Sequence, residues 1–468
     1  MSRLRAFFNP PTSNPLRAPA RIFWTGFVVR VLYITLAHTY RIRAAEDHFQ
    51  FGWEAGRIAR ALVTGYGYSD PFANIVLAHT GPTAWLPPLY PLLLAGIFRI
   101  FGVFTPASAW VLFTLQSAFS AATALAVWEI AARILSRRVA LWSAWIWALY
   151  PAAMQYAVRW PWEMTITTAL FTFTLVLALR MRRIGEPPTA NVVPPISDWI
   201  AFALLWGLIA LSNSTLLIFL PICGLWILLP ALRNPPDSPS PAHTFLPALK
   251  GPALAALLFL ACIAPWAARN YAVFHAFIPL RGNFGAELYM GNGPGSTGLL
   301  MEYDHPFQAP DQLRLYASLG EIRYVALRSA LAWQFIADHP AHFLADVARR
   351  IVFFWSGVPH PSDESWFNEA GRSLNFAFIS IAGLLGLTLA LRRRVPAAGL
   401  FASAFLLLPI PYYLVTVHAR FRHPLEPLIA ILGVYLFQSA DRTRTWSRST
   451  PSPQTHPSPS SPSPSRPA

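Results

Sequence analysis

Glu46 and Asp47 stand side by side in "RIRAAEDHFQF" (residues 41–51), directly after the first long apolar run. With only 21 Asp+Glu against 36 Lys+Arg, two adjacent carboxylates at the end of an apolar run ask for a chemical reason. Glu163 in "RWPWEMTI" has the same setting, at the mouth of a later apolar run. Glu54 follows Asp47 by seven residues, so a helix through "FQFGWEAGRIARALVTGYGYS" would put both on one face, with Gly65 and Gly67 ending it. A carboxylate held at such a place can take the proton of a hydroxyl as general base. Blander roles compete: Asp47 as a helix N-cap, and Glu54 as a solvated partner of Arg57. A cap accounts for one acid but not for its neighbour. Glu129, also in an apolar run, finds a structural partner four residues on in Arg133.

The basic candidates lie at other run ends. "PWAARNY" (265–271) holds Arg269 and Asn270, and "HARFRHPLEP" (418–427) packs Arg420, Arg422, His418 and His423 into one tight turn. Forked guanidinium donors match phosphate oxygens, so these groups fit a lipid phosphate or pyrophosphate head. General contact with anionic lipid heads is the plainer reading. The run "RGNFGAELYMGNGPGSTG" (281–298), which contains Asn292, is Gly-rich but lacks the Lys-Ser/Thr ending of a nucleotide phosphate loop. It reads as a turn-rich binding loop, and Asn292 joins the substrate-binding candidates.

What must position these residues is a membrane. The 468 residues are 54% hydrophobic and 12% charged, and several windows approach the ~20 apolar residues that span a bilayer. Ten spans are expected, near 22–38, 107–132, 139–158, 163–180, 198–212, 214–230, 250–268, 374–391, 397–417 and 424–438. The net charge of +15 would suggest nucleic acid in a soluble chain. Here the arginines cluster at span ends, and all such clusters but the 418–427 turn fall on one face if the N-terminus is cytoplasmic. No nucleic-acid partner is expected. Counting "PPLYPLLLAGIFRIFG" (87–102) as a span would invert that agreement, so it is read as a helix in the outer interface. The expected fold is therefore an all-α polytopic membrane protein with a cytoplasmic N-terminus (1–21) and a transmembrane domain (22–438). Helical external loops (39–105 and 269–373) lie on the membrane, and a disordered Pro/Ser-rich cytoplasmic tail follows (439–468). Cys223 and Cys262 lie within apolar runs and indicate no disulfide framework, and the N-terminus reads as carrying no cleavable signal.

In this order the residues resemble a family. The acidic pair after span 1, "LVTGYGYSDPF", "GPTAWLPPLYPLLLAGIFRIFG", "LYPAAMQYAVRWPWEMTITTALF", "PWAARNYAVFHAFIPLRGNFGAELYMGNGP", "HPAHFLADVARRIVFFW" and "RFRHPLEPLIAILGVY" run from about residue 22 to 438. The set resembles the GT-C fold of polyprenyl-phosphate-sugar-dependent glycosyltransferases, and is similar there to bacterial relatives of protein O-mannosyltransferases and aminoarabinose lipid A transferases. The resemblance implies an active site facing away from the cytoplasm, in the inner (cytoplasmic) membrane. It implies a donor sugar on a polyprenyl phosphate and a lipid, glycan or protein acceptor. It carries the first-loop acid onto Asp47, with Glu46 beside it, and the second acid onto Glu163. The phosphate-holding groups fall on Arg269, Arg420 and Arg422, near His423. Phe51 and Ala55 follow Asp47 at the family's spacing, but the helix beyond runs a turn longer, which leaves the base open among Glu46, Asp47 and Glu54.

The charges suit that chemistry on their own. Asp47 would serve as base, Glu163 would position the acceptor or support Asp47, and Arg269 and Arg420 would stabilise the departing phosphate. Single displacement predicts inversion. No cofactor is required, although paired carboxylates could hold a divalent cation through oxygen ligands. A transporter or flippase of lipid-linked sugars would use the same arginines, but the sequence shows no repeat and no matched Gly/Pro-interrupted spans. A lipid-linked glycan polymerase or ligase would centre on arginine and histidine in one large external loop, and the acids of the first loop speak against it. A non-catalytic scaffold would require Asp47 to be inert.

Overall fold

The computed structural model of the chain describes residues 17–42, 51–74, 77–186, 194–233, 241–359 and 366–446. Glu46 and Asp47 lie outside the described residues. Among those described, the regular structure is helical, apart from one isolated bridge between Ser69 and Pro82. Helix occurs within each of the ten expected ranges, and two of those ranges are broken. Five helices are long and apolar enough to cross a membrane by length and composition: Ala18–Leu36, Pro106–Ile134, Met164–Met181, Leu249–Phe274 and Trp366–Arg392.

Helix α1 (Arg17–Leu36) begins the bundle and packs on α4 (Pro106–Ile134). Between them stand the short α2 (Glu54–Val63) and α3 (Leu89–Phe101), which pack on each other. Thirteen residues make α3 only about 20 Å long, short of a bilayer core. Thr105 and Ser108 form a reciprocal capping box that starts α4. Near its other end Arg133 donates to Glu129 at 2.8 Å, the pair expected from their spacing.

Proline sets the next boundaries. The expected span 139–158 is two helices, α5 (Arg137–Leu149) and α6 (Pro151–Val158), because Pro151 lacks the donor needed to continue α5 and favours a first helical position. Helix α7 (Met164–Met181) follows, then α8 (Ile196–Ser212), a 3-10 stretch Ser214–Phe219, and α9 (Leu220–Arg233). Helix α10 (Pro241–Phe274) lies along α8. Gly207 permits that approach, since a side chain there would press on Cys262.

The second connecting region carries four helices: α11 (Phe284–Asn292), α12 (Pro310–Leu319), α13 (Glu321–Asp338) and α14 (Pro340–Ser356). Helix α15 (Trp366–Arg392) returns to the bundle. The expected span 397–417 is again broken, into α16 (Ala398–Leu407) and α17 (Ile410–Leu414), around Pro409 and Pro411. The expected spans 139–158 and 397–417 are thus each interrupted, which the sequence reading did not expect. A 3-10 turn (Ala419–Leu425) then leads into α18 (Glu426–Trp446), which continues past the expected boundary at 438. Helices α15 and α18 pack closely because Gly383 and Gly386 face Ile429 and Leu432 without side chains.

Candidate active site

The site begins with an unusual backbone. Phe51, Gly52 and Trp53 have φ of 62°, 84° and 57°, so no right-handed α-helix runs through them, and α2 starts at Glu54. The helical run expected after Asp47 is thus α-helical from Glu54, and its first residues, 49 and 50, lie outside the described residues. Its C-terminal end is as expected: Gly65 has φ 91°, and Tyr66 N–H donates to Ala61 O at 2.9 Å. Gly52 serves a second purpose. Its α-carbon lies so close to Pro161 O that a Cβ there would collide with it. That approach brings Trp53, Glu54 and Ala55 against the turn Pro161–Trp162–Glu163 before α7, and all six line one cavity of 410 Å³. The same cavity takes Tyr412, His418 and Arg420 from the far end of the chain, and Arg281, Glu287 and His305 from the second connecting region.

Glu54 is paired. His305 Nε2 lies 3.1 Å from its Oε1, and both side chains are buried. Phe307 N–H donates to His305 Nδ1 at 3.2 Å. That bond makes Nδ1 the acceptor, which leaves the ring proton on Nε2 to be donated to Glu54. Trp53, Phe72 and Trp85 set their rings edge-on around the imidazole. Burial raises the Glu54 carboxyl's pKa, but the hydrogen bond from His305 and the Arg420 charge outweigh it, so it lies below the usual 4.5. Arg57, the partner weighed for Glu54, instead donates to Ala73 O at 3.0 Å and Trp53 O at 2.7 Å.

Glu163 occupies the N-cap position of α7 and makes no ion pair among the described residues. Arg420 also makes none there. Its guanidinium lies 4.3 Å over the Trp162 ring and 5.3 Å from that of Phe421, and its buried Nε has no hydrogen-bond partner. Among the described residues this half-buried cation is held by aromatic faces, which leaves its forked donors available to an anion. No group of three or more His, Cys, Asp or Glu able to hold a metal occurs among the described residues.

The other expected site residues among those described lie outside the cavity lining, and each is engaged by the protein itself. Arg269 donates to Thr83 O at 2.6 Å and Tyr68 O at 2.7 Å, tying α10 to the segment before α3. Glu321 holds that segment from the other side, accepting from Ala84 N–H at 2.7 Å and from the Thr83 hydroxyl. Asn270 is buried and donates to Ile278 O at 2.9 Å. Asn292 accepts from Arg350 at 2.9 Å and donates to Leu414 O at 3.1 Å. Arg422 and His423 both face Glu426, at 3.4 and 2.8 Å, in a buried cluster where Arg422 also reaches Ser380. Glu54, Glu163 and Arg420 are thus the candidates that the described cavity brings together. His305, Arg281, Asn283 and Glu287 are additions from the structure. Their only sequence signal was membership of, or nearness to, the Gly-rich run after residue 281.

No family model matches the sequence, and no curated protein does. Solved structures are similar in fold. The apo oligosaccharyltransferase of Archaeoglobus fulgidus is 14% identical with a TM-score of 0.48, over 91% of this chain and 51% of that one. The same organism's AglB in complex with an inhibitory peptide and a dolichol-phosphate is 12% identical with a TM-score of 0.45, over 92% and 52%. ArnT of Cupriavidus metallidurans bound to undecaprenyl phosphate is 13% identical with a TM-score of 0.36, over 92% and 82%. The chain spans about half the length of the archaeal structures.

Proposed function

We propose that the protein is an integral membrane glycosyltransferase that moves a sugar from a polyprenyl-phosphate donor to a lipid, glycan or protein acceptor. It would act at the non-cytoplasmic face of the inner membrane. The observation that carries this reading is the meeting of Glu54, Glu163 and Arg420, from three distant parts of the chain, in one cavity. A guanidinium that rests on aromatic rings and makes no ion pair among the described residues suits a phosphate whose charge grows as the glycosidic bond breaks. The carboxylates suit an acceptor hydroxyl that must lose its proton.

In the proposed step Asp47 takes the acceptor proton while the acceptor oxygen attacks the anomeric carbon. The polyprenyl phosphate leaves toward Arg420, and the anomeric centre inverts. Glu163 positions the acceptor, Glu54 is held for substrate by His305, and Glu46 supports Asp47. Arg269, Asn270, Asn292, Arg422 and His423 act by holding the walls, since each bonds to other groups of the protein. Sugar transfer from labelled polyprenyl-phosphate sugars by the purified protein in lipid tests the reading. Asp47→Asn should remove turnover and retain donor binding. Donor binding without any turnover by the wild type, with acceptors supplied, would favour a transporter instead.

A further inference from the structure

One wall of the cavity has a charge pattern that the reaction above does not use. Arg281 Nε donates to Asn283 Oδ1 at 2.6 Å, and Asn283 Nδ2 donates to Glu287 Oε1 at 3.0 Å. Arg281 and Glu287 are then 3.8 Å apart. Asn283 is buried at the N-cap position of α11, and Gly282 N–H is fixed to Ala84 O at 2.8 Å. The trio is therefore held on a rigid corner, with Asn283 as a spacer that keeps base and acid apart. Both Arg281 and Glu287 line the cavity, and among the described residues no further hydrogen bond or ion pair engages their side chains there.

This wall differs from the Arg420 wall in net charge. Arg281 and Glu287 cancel, so the corner does not attract an anion as Arg420 does. A matched donor and acceptor suit adjacent hydroxyls, each of which both gives and receives a hydrogen bond. The volume of 410 Å³ falls at the small end of the roughly 300–1,000 Å³ of ligand pockets. One sugar ring with its phosphate suits a cavity of that size.

We infer that Arg281, Asn283 and Glu287 form the sugar subsite of the donor, selecting a single neutral ring with vicinal hydroxyls. This rests on the glycosyltransferase reading for the donor's lipid phosphate but makes a separate claim about where its sugar binds. Glu287 and Arg281 are its specificity-determining residues, and Asn283 is a positioning residue.

The test is binding, which does not require turnover. Affinities of the purified protein in nanodiscs are measured for bare polyprenyl phosphate and for polyprenyl-phosphate glucose, mannose, galactose and xylose. Deoxy forms of the tightest binder and a lipid-linked disaccharide are included. The wild type should bind its best sugar-bearing lipid about tenfold or more tighter than the bare lipid, the worth of one or two hydrogen bonds to charged groups. Removing one of the engaged hydroxyls, or substituting Glu287→Gln or Arg281→Gln, should erase that difference. Affinity for bare lipid should persist in the variants and report an intact fold. A second ring should add nothing. The inference is overturned if sugar and bare lipids bind the wild type equally, or if the sugar increment survives both substitutions. Turnover, scored separately, judges the transferase reading, so either can fail alone.

Discussion

Glu54 and Glu321 are both buried carboxylates, yet their surroundings move them in opposite directions. Glu54 lies below the usual 4.5 because His305 and Arg420 outweigh its burial, so its contribution to stability is present above pH 4.5 and is lost as pH falls through its depressed value. Glu321 is raised because burial outweighs its bonds to Thr83, Ala84 and Tyr316 and the Arg269 charge. Its contribution is complete below pH 4.5 and declines as pH rises through the raised value. Thermal unfolding against pH should therefore show the wild type losing its advantage over Glu54→Gln under acid conditions. Relative to Glu321→Gln, the wild type should lose ground as pH rises. Arg420 supports a further prediction. Arg420→Ala should weaken binding of bare polyprenyl phosphate about tenfold or more, and Arg420→Lys should recover only part of it, since a point charge lacks the forked donors. Equal binding by Arg420→Ala and wild type would remove the phosphate role. Glu54, Glu163 and Arg420 were legible in the sequence because charges at the ends of apolar runs stand out. Arg269 and Arg422 stood out for the same reason but turn inward. A guanidinium at a span end satisfies carbonyls or a carboxylate as readily as a phosphate, and residue type alone does not separate these outcomes.

Helix boundaries explain how these residues meet. Gly52, at φ 84°, brings the start of α2 against Pro161. Gly52→Ala should destabilise the protein by about 1 kcal/mol or more and displace Glu54 from Glu163. The expected result is a lowered unfolding midpoint with at least a tenfold loss of transfer. Unchanged activity would mean that the approach is not needed. Gly386→Leu should separate α15 from α18 and lower the unfolding midpoint without touching the cavity lining. The helical character of the apolar runs was legible because apolar length is a strong signal. The breaks at Tyr150–Pro151 and around Pro409 were not placed, although their prolines are plain in the sequence. In a membrane segment proline's missing donor can be absorbed as a kink or taken as an end, and packing decides which. His305 was invisible for another reason. It lies in a polar region where histidines are ordinary, and only its contact with Glu54, far away in sequence, gives it meaning.

The architecture joins two connecting regions over one bundle mouth. Arg269 and Glu321 grip Thr83–Ala84 from opposite sides, so residues near α3 depend on both α10 and α13 for their position. The sequence reading sets both regions outside the cytoplasm. A cysteine at exposed Tyr66, in a variant lacking Cys223 and Cys262, should label in intact cells with an impermeant reagent. One at exposed Arg394 should label only after lysis. The reverse pattern would invert the topology and the proposed face of catalysis. The central claim is transfer of a sugar from a polyprenyl phosphate by a carboxylate of the first connecting region. Its most direct test compares wild type with Asp47→Asn in one assay of labelled sugar transfer, in native lipid with lipid acceptors present. The account predicts transfer by the wild type, with turnover reduced by about 10²–10⁴ in the variant while donor binding persists. Equal turnover by the two proteins would contradict it.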